Sequence, residues 1–337
     1  MEHVAVLGAG AWGTALAKLL AERGHEVTVW AHEPDVVASI EGQHENTRYL
    51  PGFTLPDNLH TTGDAEKALR GATLVLLVVP SHVTRQVLKD VGKWIPADAA
   101  VVSATKGIEN DSLRLMHEVY ADVLGADRAG QYTALSGPSF AKEVALRHPT
   151  VVVVAGPRED VVAKVQAAFT SEGVFRAYGS TDLVGVEMGG ALKNVIAIAA
   201  GAADGLGFGY NTRAALITRG LAEIAKVAVA KGAEPLTIAG LAGMGDLVLT
   251  CTGELSRNRT VGFELGRGKS LEQAITELGH VAEGVKTSKS AYDLSAKMGV
   301  ETPIVTQVYL ALYEGKPARD AVAELMGRPA HRELDFR

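Results

Sequence analysis

The chain has 337 residues, 47% of them hydrophobic and 5% aromatic, with 37 glycines and a formal net charge of −6. That length suits two domains, because single cores rarely grow beyond about 250 to 300 residues, and the composition excludes a disordered or collagen-like chain. The absence of a basic stripe argues against nucleic acid as a partner, and the lone cysteine, Cys251, excludes an internal disulfide and a Cys/His metal cluster.

The first predicted element is a buried strand, Val4-Ala5-Val6-Leu7, which runs directly into Gly8, Gly10 and Gly13 at G-x-G-x-x-G spacing. A helix follows with Trp12, Ala15, Leu16, Leu19 and Leu20 on one side, stops at Gly24, and leads to a second strand, Glu26 to Trp30. This order fits a dinucleotide site. Gly8 permits the turn, Gly10 admits a pyrophosphate close to the backbone, Gly13 lets helix and strand pack closely, and the helix N-terminus offers free N–H groups. No signal peptide precedes the first strand and no uncharged run of about 20 apolar residues could span a bilayer, so a cytoplasmic protein without an integral membrane segment is expected.

Past the second strand, His32 could face a phosphate, while Glu33 comes slightly late for the acid that binds a ribose; solvated turn residues are the alternative. His44 to Gly52 reads as an ordered loop. Leu74 to Val79 is a continuous apolar strand ending at Pro80-Ser81-His82, and Ala99 to Val102 is another, ending at Ser103-Ala104-Thr105-Lys106-Gly107. Ligands of open α/β sheets gather beyond the carboxyl ends of strands, which puts Lys106 on the ligand rim. Ala134 to Ala141 supplies small residues and hydroxyls to the same rim, and Thr150 to Ala155 is the last strong β-run. From about Asp182 onward the periodicity is helical, as in Thr218 to Lys231 and Ser288 to Lys297. The expected architecture is an α/β Rossmann-type domain over residues 1–182 and a mostly α-helical domain over 183–337.

Lys193 is the only ionisable side chain between Glu187 and Asp204, set among glycine, alanine and apolar residues. Burying its ammonium without a partner would be costly, so it either snorkels to the surface or serves as a proton donor and charge stabiliser. Asp246, after the turn Gly243-Met244-Gly245, could orient it. Ser256, Arg257 and Asn258 offer a hydroxyl, a rigid fork and an amide suited to phosphate oxygens; Ser256 could equally cap a helix. Val195 to Ala203 is too short to cross a membrane and reads as a buried helix. No Ser/His/Asp order, paired glycosidase acids or zinc-ligand spacing competes for the active site.

Taken together, Gly8 to Leu16, His44 to Gly52, Ser136-Gly137-Pro138-Ser139, Gly190 to Asn194, Gly243 to Asp246 and Ser256 to Arg259 give a chain that resembles the bacterial NAD(P)-dependent glycerol-3-phosphate dehydrogenases over nearly its whole length. The resemblance implies reduction of dihydroxyacetone phosphate to sn-glycerol 3-phosphate for glycerophospholipid synthesis. It implies Lys193 as the proton-transfer residue, aided by Lys106 and Asp246, and a substrate held by Lys106, Gly137, Ser139, Lys193, Asp246, Ser256, Arg257 and Asn258. It also implies an NAD(P)H cofactor, with the choice between NADH and NADPH left open, which meets the loop at Gly8, Gly10, Ala11, Trp12 and Gly13 and elsewhere His32, Tyr49, Lys106, Ala141, Arg257, Val281 and Glu283. Two positions depart from the family pattern. Ala11 replaces an expected serine, and Glu33 stands where a basic residue is common and would repel a 2′-phosphate. The rival readings are a β-hydroxyacid dehydrogenase of related build and a non-catalytic dinucleotide-binding regulator; a homodimer is the expected assembly.

Overall fold

The computed structural model describes residues 1–279 and 281–329. Two compact units divide the chain: one combines Met1–Lys106 with Arg114–Val186, and the other combines Gly107–Leu113 with the chain from Glu187 onward. The division therefore falls four residues later than the expected 182/183, inside the continuous helix Leu183–Gly205. It also assigns a short early segment to the later unit. Ser290 donates its hydroxyl to the Ile108 carbonyl at 3.0 Å, one of the bonds that tie that segment there.

In the first unit, eight strands form one sheet: β1 (His3–Leu7), β2 (Glu26–Trp30), β3 (Leu59–Thr62), β4 (Leu74–Leu77), β5 (Ala100–Ser103), β6 (Tyr132–Ser136), β7 (Thr150–Ala155) and β8 (Phe175–Ser180). Their spatial order is β3-β2-β1-β4-β5-β6-β7-β8. The first six run parallel, with Val4 opposite both Val27 and Leu74 and Ser103 opposite Ala134. This is the doubly wound order, whose ligand crevice lies outside the carboxyl ends of β1 and β4. β7 turns antiparallel to β6 and β8 pairs with it in parallel.

Strands covered on both faces have no polar side to show, so Leu74 to Leu77 are all buried. β8 behaves differently: Phe175 and Ala177 are buried while Arg176 and Tyr178 are exposed. As an edge strand with alternating polarity it lacks the apolar run that marks β7, which is why Thr150 to Ala155 is the last run visible in sequence but not the last strand. The helix Ala11–Glu22 buries Gly13 through Ala21.

The second unit is helical. Its central helix, Leu183–Gly205, is long and apolar enough to cross a membrane, yet 83% of its most apolar stretch is buried inside the protein. Two glycine pairs let another helix, Arg257–Gly266, cross it at backbone contact. A Cβ on Gly201 would lie 2.0 Å from the Arg259 carbonyl oxygen, and one on Gly262 would lie 2.0 Å from that of Ile198. Gly205 and Gly266 meet the partner backbone in the same way. Small residues at four-residue spacing thus set the distance between the helix that carries Lys193 and the helix that begins after Ser256.

Candidate active site

In the first unit the glycine loop has the geometry its spacing foretells. Gly8 adopts φ +116°, a conformation L side chains rarely adopt, and a Cβ there would lie 2.8 Å from the Val78 carbonyl oxygen. A Cβ on Gly13 would lie 2.0 Å from the Gly8 carbonyl oxygen, so the helix can start this close to β1 only with glycine. Gly10 is the opposite case: nothing lies within 4 Å of where its Cβ would be. It occupies the N-cap of Ala11–Glu22 without a side-chain cap, so no capping side chain takes the N–H groups of the first turn, those of Ala11 and Trp12 among them. Close packing behind and an uncapped N-terminus in front fit the pyrophosphate of a dinucleotide. Ala11 in place of serine removes a hydroxyl but not the backbone amide.

Around this loop, His32 is exposed just beyond β2, and Glu33 occupies the N-cap of the helix Pro34–Gln43. Tyr49 donates its hydroxyl to Glu33 Oε1 at 3.0 Å. Burial, followed by the Glu33 charge, pushes the phenol's pKa up and keeps it a donor. On the rim beyond β5 and β6, Lys106 donates to the Gly137 carbonyl at a long 3.5 Å, and the Ser139 hydroxyl donates to the same oxygen at 2.9 Å. Lys106, Gly137 and Ser139 are therefore one cluster, and Ala141 opens the short helix Ala141–Ala145 that follows.

In the second unit, Lys193 is buried with its ammonium against Asp246, the two side chains 7% and 1% exposed. Thr250 accepts a second bond from Lys193 Nζ at 2.9 Å and passes its own proton to the Asp246 carbonyl at 2.6 Å. Asp246 reaches this position because Leu241–Gly245 forms one π-helical turn that leads into the helix Asp246–Thr252. Gly243 permits that turn, since a Cβ there would sit 2.0 Å from the Ile238 carbonyl oxygen. An ion pair this buried is expensive to break, about 3 to 5 kcal/mol when one partner is removed, so it holds the ammonium in one orientation. In the sequence Thr250 stands only at the head of the donor-rich stretch that runs to Arg259, with no sign that it partners Lys193, 57 residues away. Cys251 beside it is buried, and burial pushes its thiol up to about 12, which leaves it inert at neutral pH.

The Ser256 to Arg259 segment holds both of its alternative readings at once. Ser256 caps the helix Arg257–Gly266, its Oγ accepting from the Arg259 N–H at 3.3 Å, and its own hydroxyl proton remains to donate. Asn258 is buried, and its side chain is largely committed: Nδ2 donates to Asn194 Oδ1 at 2.9 Å and Oδ1 accepts from the Gly284 N–H at 2.9 Å. Its backbone N–H, in the first turn but not the one that Ser256 caps, suits an anion better than its amide does. Arg257 keeps an exposed face, although the protein around its guanidinium desolvates it enough to lower its pKa, against the opposing pull of Glu283. Glu283 starts the helix Glu283–Lys297, and Val281, exposed, lies two residues before it. Behind the segment, Arg259 and Arg213 each clasp Asp204 through Nε and Nη2, at 2.7 to 3.0 Å.

The expected site residues thus fall into two groups, one in each unit. A dinucleotide fold with an oriented, buried ammonium elsewhere in the same chain belongs to the class of NAD(P)-dependent oxidoreductases. Comparison with known proteins narrows this. The N-terminal family model of NAD-dependent glycerol-3-phosphate dehydrogenase matches residues 3–162 and the C-terminal one matches 182–323. Glycerol-3-phosphate dehydrogenases, NAD(P)+, from Geobacter sp. strain M21 and from Citrifermentans bemidjiense are each 56% identical over 97% of both chains. The crystal structure of a glycerol-3-phosphate dehydrogenase from Coxiella burnetii superposes with a TM-score of 0.92 at 40% identity, covering 96% of this chain and 98% of that one. The chain belongs to the NAD-dependent glycerol-3-phosphate dehydrogenase family. That membership removes the hydroxyacid dehydrogenase and the non-catalytic regulator as readings.

Proposed function

We propose that the chain catalyses the reversible NAD(P)H-dependent reduction of dihydroxyacetone phosphate to sn-glycerol 3-phosphate, in the cytoplasm, as a step toward glycerophospholipids. The observation that carries the chemistry is the buried ammonium of Lys193, fixed by Asp246 and Thr250. A bound reduced nicotinamide supplies the hydride that reaches the ketone carbon. As that carbon accepts the electron pair, its oxygen becomes an alkoxide and needs a proton; Lys193 Nζ donates it, forming the secondary alcohol. Asp246 and Thr250 keep the ammonium oriented through the step, so its charge meets the developing negative charge without rearrangement.

The substrate phosphate is read by Arg257, the Ser256 hydroxyl and the backbone N–H groups at the start of Arg257–Gly266, that of Asn258 among them. Holding the phosphate fixes the carbonyl within reach of the proton donor. The test is to follow NADH and NADPH absorbance in the presence of dihydroxyacetone phosphate and, in parallel, of an oxo acid. Oxidation with the phosphate ester alone is the expected result; oxidation with the oxo acid alone would overturn the reading.

A further inference from the structure

One residue beneath the glycine loop is fully buried and has no place in the mechanism above. Asn46, 0% exposed, sends both of its Nδ2 protons into the loop: one to the Ala9 carbonyl at 2.8 Å, the other to Thr14 Oγ1 at 2.8 Å. Thr14, itself 1% exposed, passes its hydroxyl proton to the same Ala9 carbonyl at 3.2 Å. Asn46 Oδ1 accepts the backbone N–H of Tyr49 at 3.1 Å, and Tyr49 in turn holds Glu33. We propose that Asn46 is the positioning residue of the dinucleotide cradle: by holding the Ala9 carbonyl inward it aims the Gly10 N–H outward at the pyrophosphate. The inference rests on reading the glycine loop as that cradle.

The geometry follows from the planarity of one peptide. In a trans peptide the C=O of Ala9 and the N–H of Gly10 point in opposite directions. Two donors grip the Ala9 oxygen from the protein side, so the Gly10 N–H is turned to the other side, and no atom crowds the Cβ position of Gly10 itself. That N–H has no partner among the described residues, as a group reserved for a ligand should be. Ala9 and Gly10 flank this peptide plane, and Gly10, which has no Cβ, is the residue type least able to resist its rotation. Without the Asn46 bonds the plane can turn over, presenting a carbonyl oxygen to an anion that needs an N–H.

Asn46→Asp keeps the shape and replaces the donor with an oxygen that repels the Ala9 carbonyl. Isothermal titration of the folded variant with NADH and with ADP-ribose, which carries the pyrophosphate but no nicotinamide, reads the effect without turnover. Both dissociation constants should rise in parallel by about ten- to a hundredfold, the loss expected when two hydrogen bonds of a ligand-orienting group are removed. At saturating cofactor, KM for dihydroxyacetone phosphate should stay at the parent value. NADH affinity within about twofold of the parent, or a loss that spares ADP-ribose, would overturn the role of Asn46. A parent protein that binds neither ligand would overturn the cradle itself, and this inference with it. Should Asn46→Asp not fold, Thr14→Val keeps Asn46 and the packing volume while removing one grip on the loop. It should weaken both ligands several-fold, and unchanged affinity in that variant would equally sink the proposal.

Discussion

Lys193 joins two requirements that pull against each other: a proton donor must be charged, and a reaction sheltered from water must bury it. Asp246 and Thr250 resolve the conflict by giving the buried ammonium an ion-pair partner and a hydrogen-bond acceptor. Lys193→Met keeps most of the packing volume and removes both the proton and the charge, so kcat should fall by about 10² to 10⁴-fold from general acid catalysis alone, and further from lost charge stabilisation. NADH affinity, set by the glycine loop, should not move. A correctly folded Lys193→Met protein turning over within a few-fold of the parent would make Lys193 a packing residue and send the search to Lys106. Arg257 tests the other end of the substrate. Its guanidinium is the cationic fork at the head of the Arg257–Gly266 helix, and a hydrogen bond to a charged group contributes about 1.5 to 3 kcal/mol. Arg257→Ala should therefore raise KM for dihydroxyacetone phosphate about ten- to a hundredfold. An unchanged KM would remove Arg257 from the phosphate site.

Among the helices, the crossing of Leu183–Gly205 and Arg257–Gly266 places Lys193 and the Ser256 cap at a fixed separation, and its closeness depends on glycine. Gly262→Ala would drive a methyl group into the Ile198 carbonyl, 2.0 Å away, with backbone on both sides and no side chain free to yield. The helices must separate, at a cost of about 1 to 3 kcal/mol or more, and the Asn194–Asn258 bond that spans them should loosen. Gly42 provides the contrast. It lies near the end of the helix Pro34–Gln43 with nothing within 4 Å of its Cβ position. Gly42→Ala should stabilise the protein by about 0.5 to 1 kcal/mol through helix propensity and a less flexible unfolded chain. Thermal unfolding of the two variants beside the parent checks both signs, and a Gly262→Ala protein as stable as Gly42→Ala would refute the tight crossing.

For the molecule as a whole, what the sequence disclosed depended on whether the signal was local. The β1-loop-helix unit was legible because its G-x-G-x-x-G spacing lies within one strand-turn-helix run, where Gly8 takes a positive φ and Gly13 packs on Gly8, although Gly8 also meets Val78 from a distant strand. Asn46 and Thr250 were not, because their meaning lies in partners 37 and 57 residues away. The attachment of Gly107–Leu113 to the second unit was hidden for the same reason. Glu223 is a further case: mid-helix in sequence, it is buried in the fold, where its carboxylate receives the Ile304 N–H at 2.8 Å and the Val305 N–H at 3.2 Å at the start of the helix Pro303–Tyr313. Burial dominates and pushes its pKa from 4.5 to about 7, although those two N–H groups and the charges of Arg219 and Arg328 pull it down. A carboxyl whose pKa is raised by folding keeps its proton longer in the native state. Its stabilising contribution is complete below the unfolded value of 4.5 and is lost as pH climbs through about 7, at a cost of about 3 kcal/mol. Glu223→Gln retains an acceptor for the Ile304 N–H and cannot ionise, so it should escape that loss. The melting temperature of the variant relative to the parent should rise steadily from about pH 5 to about pH 8. A gap that stays constant across that range would mean that the two N–H groups at the helix start stabilise the carboxylate enough to cancel the cost of burying it.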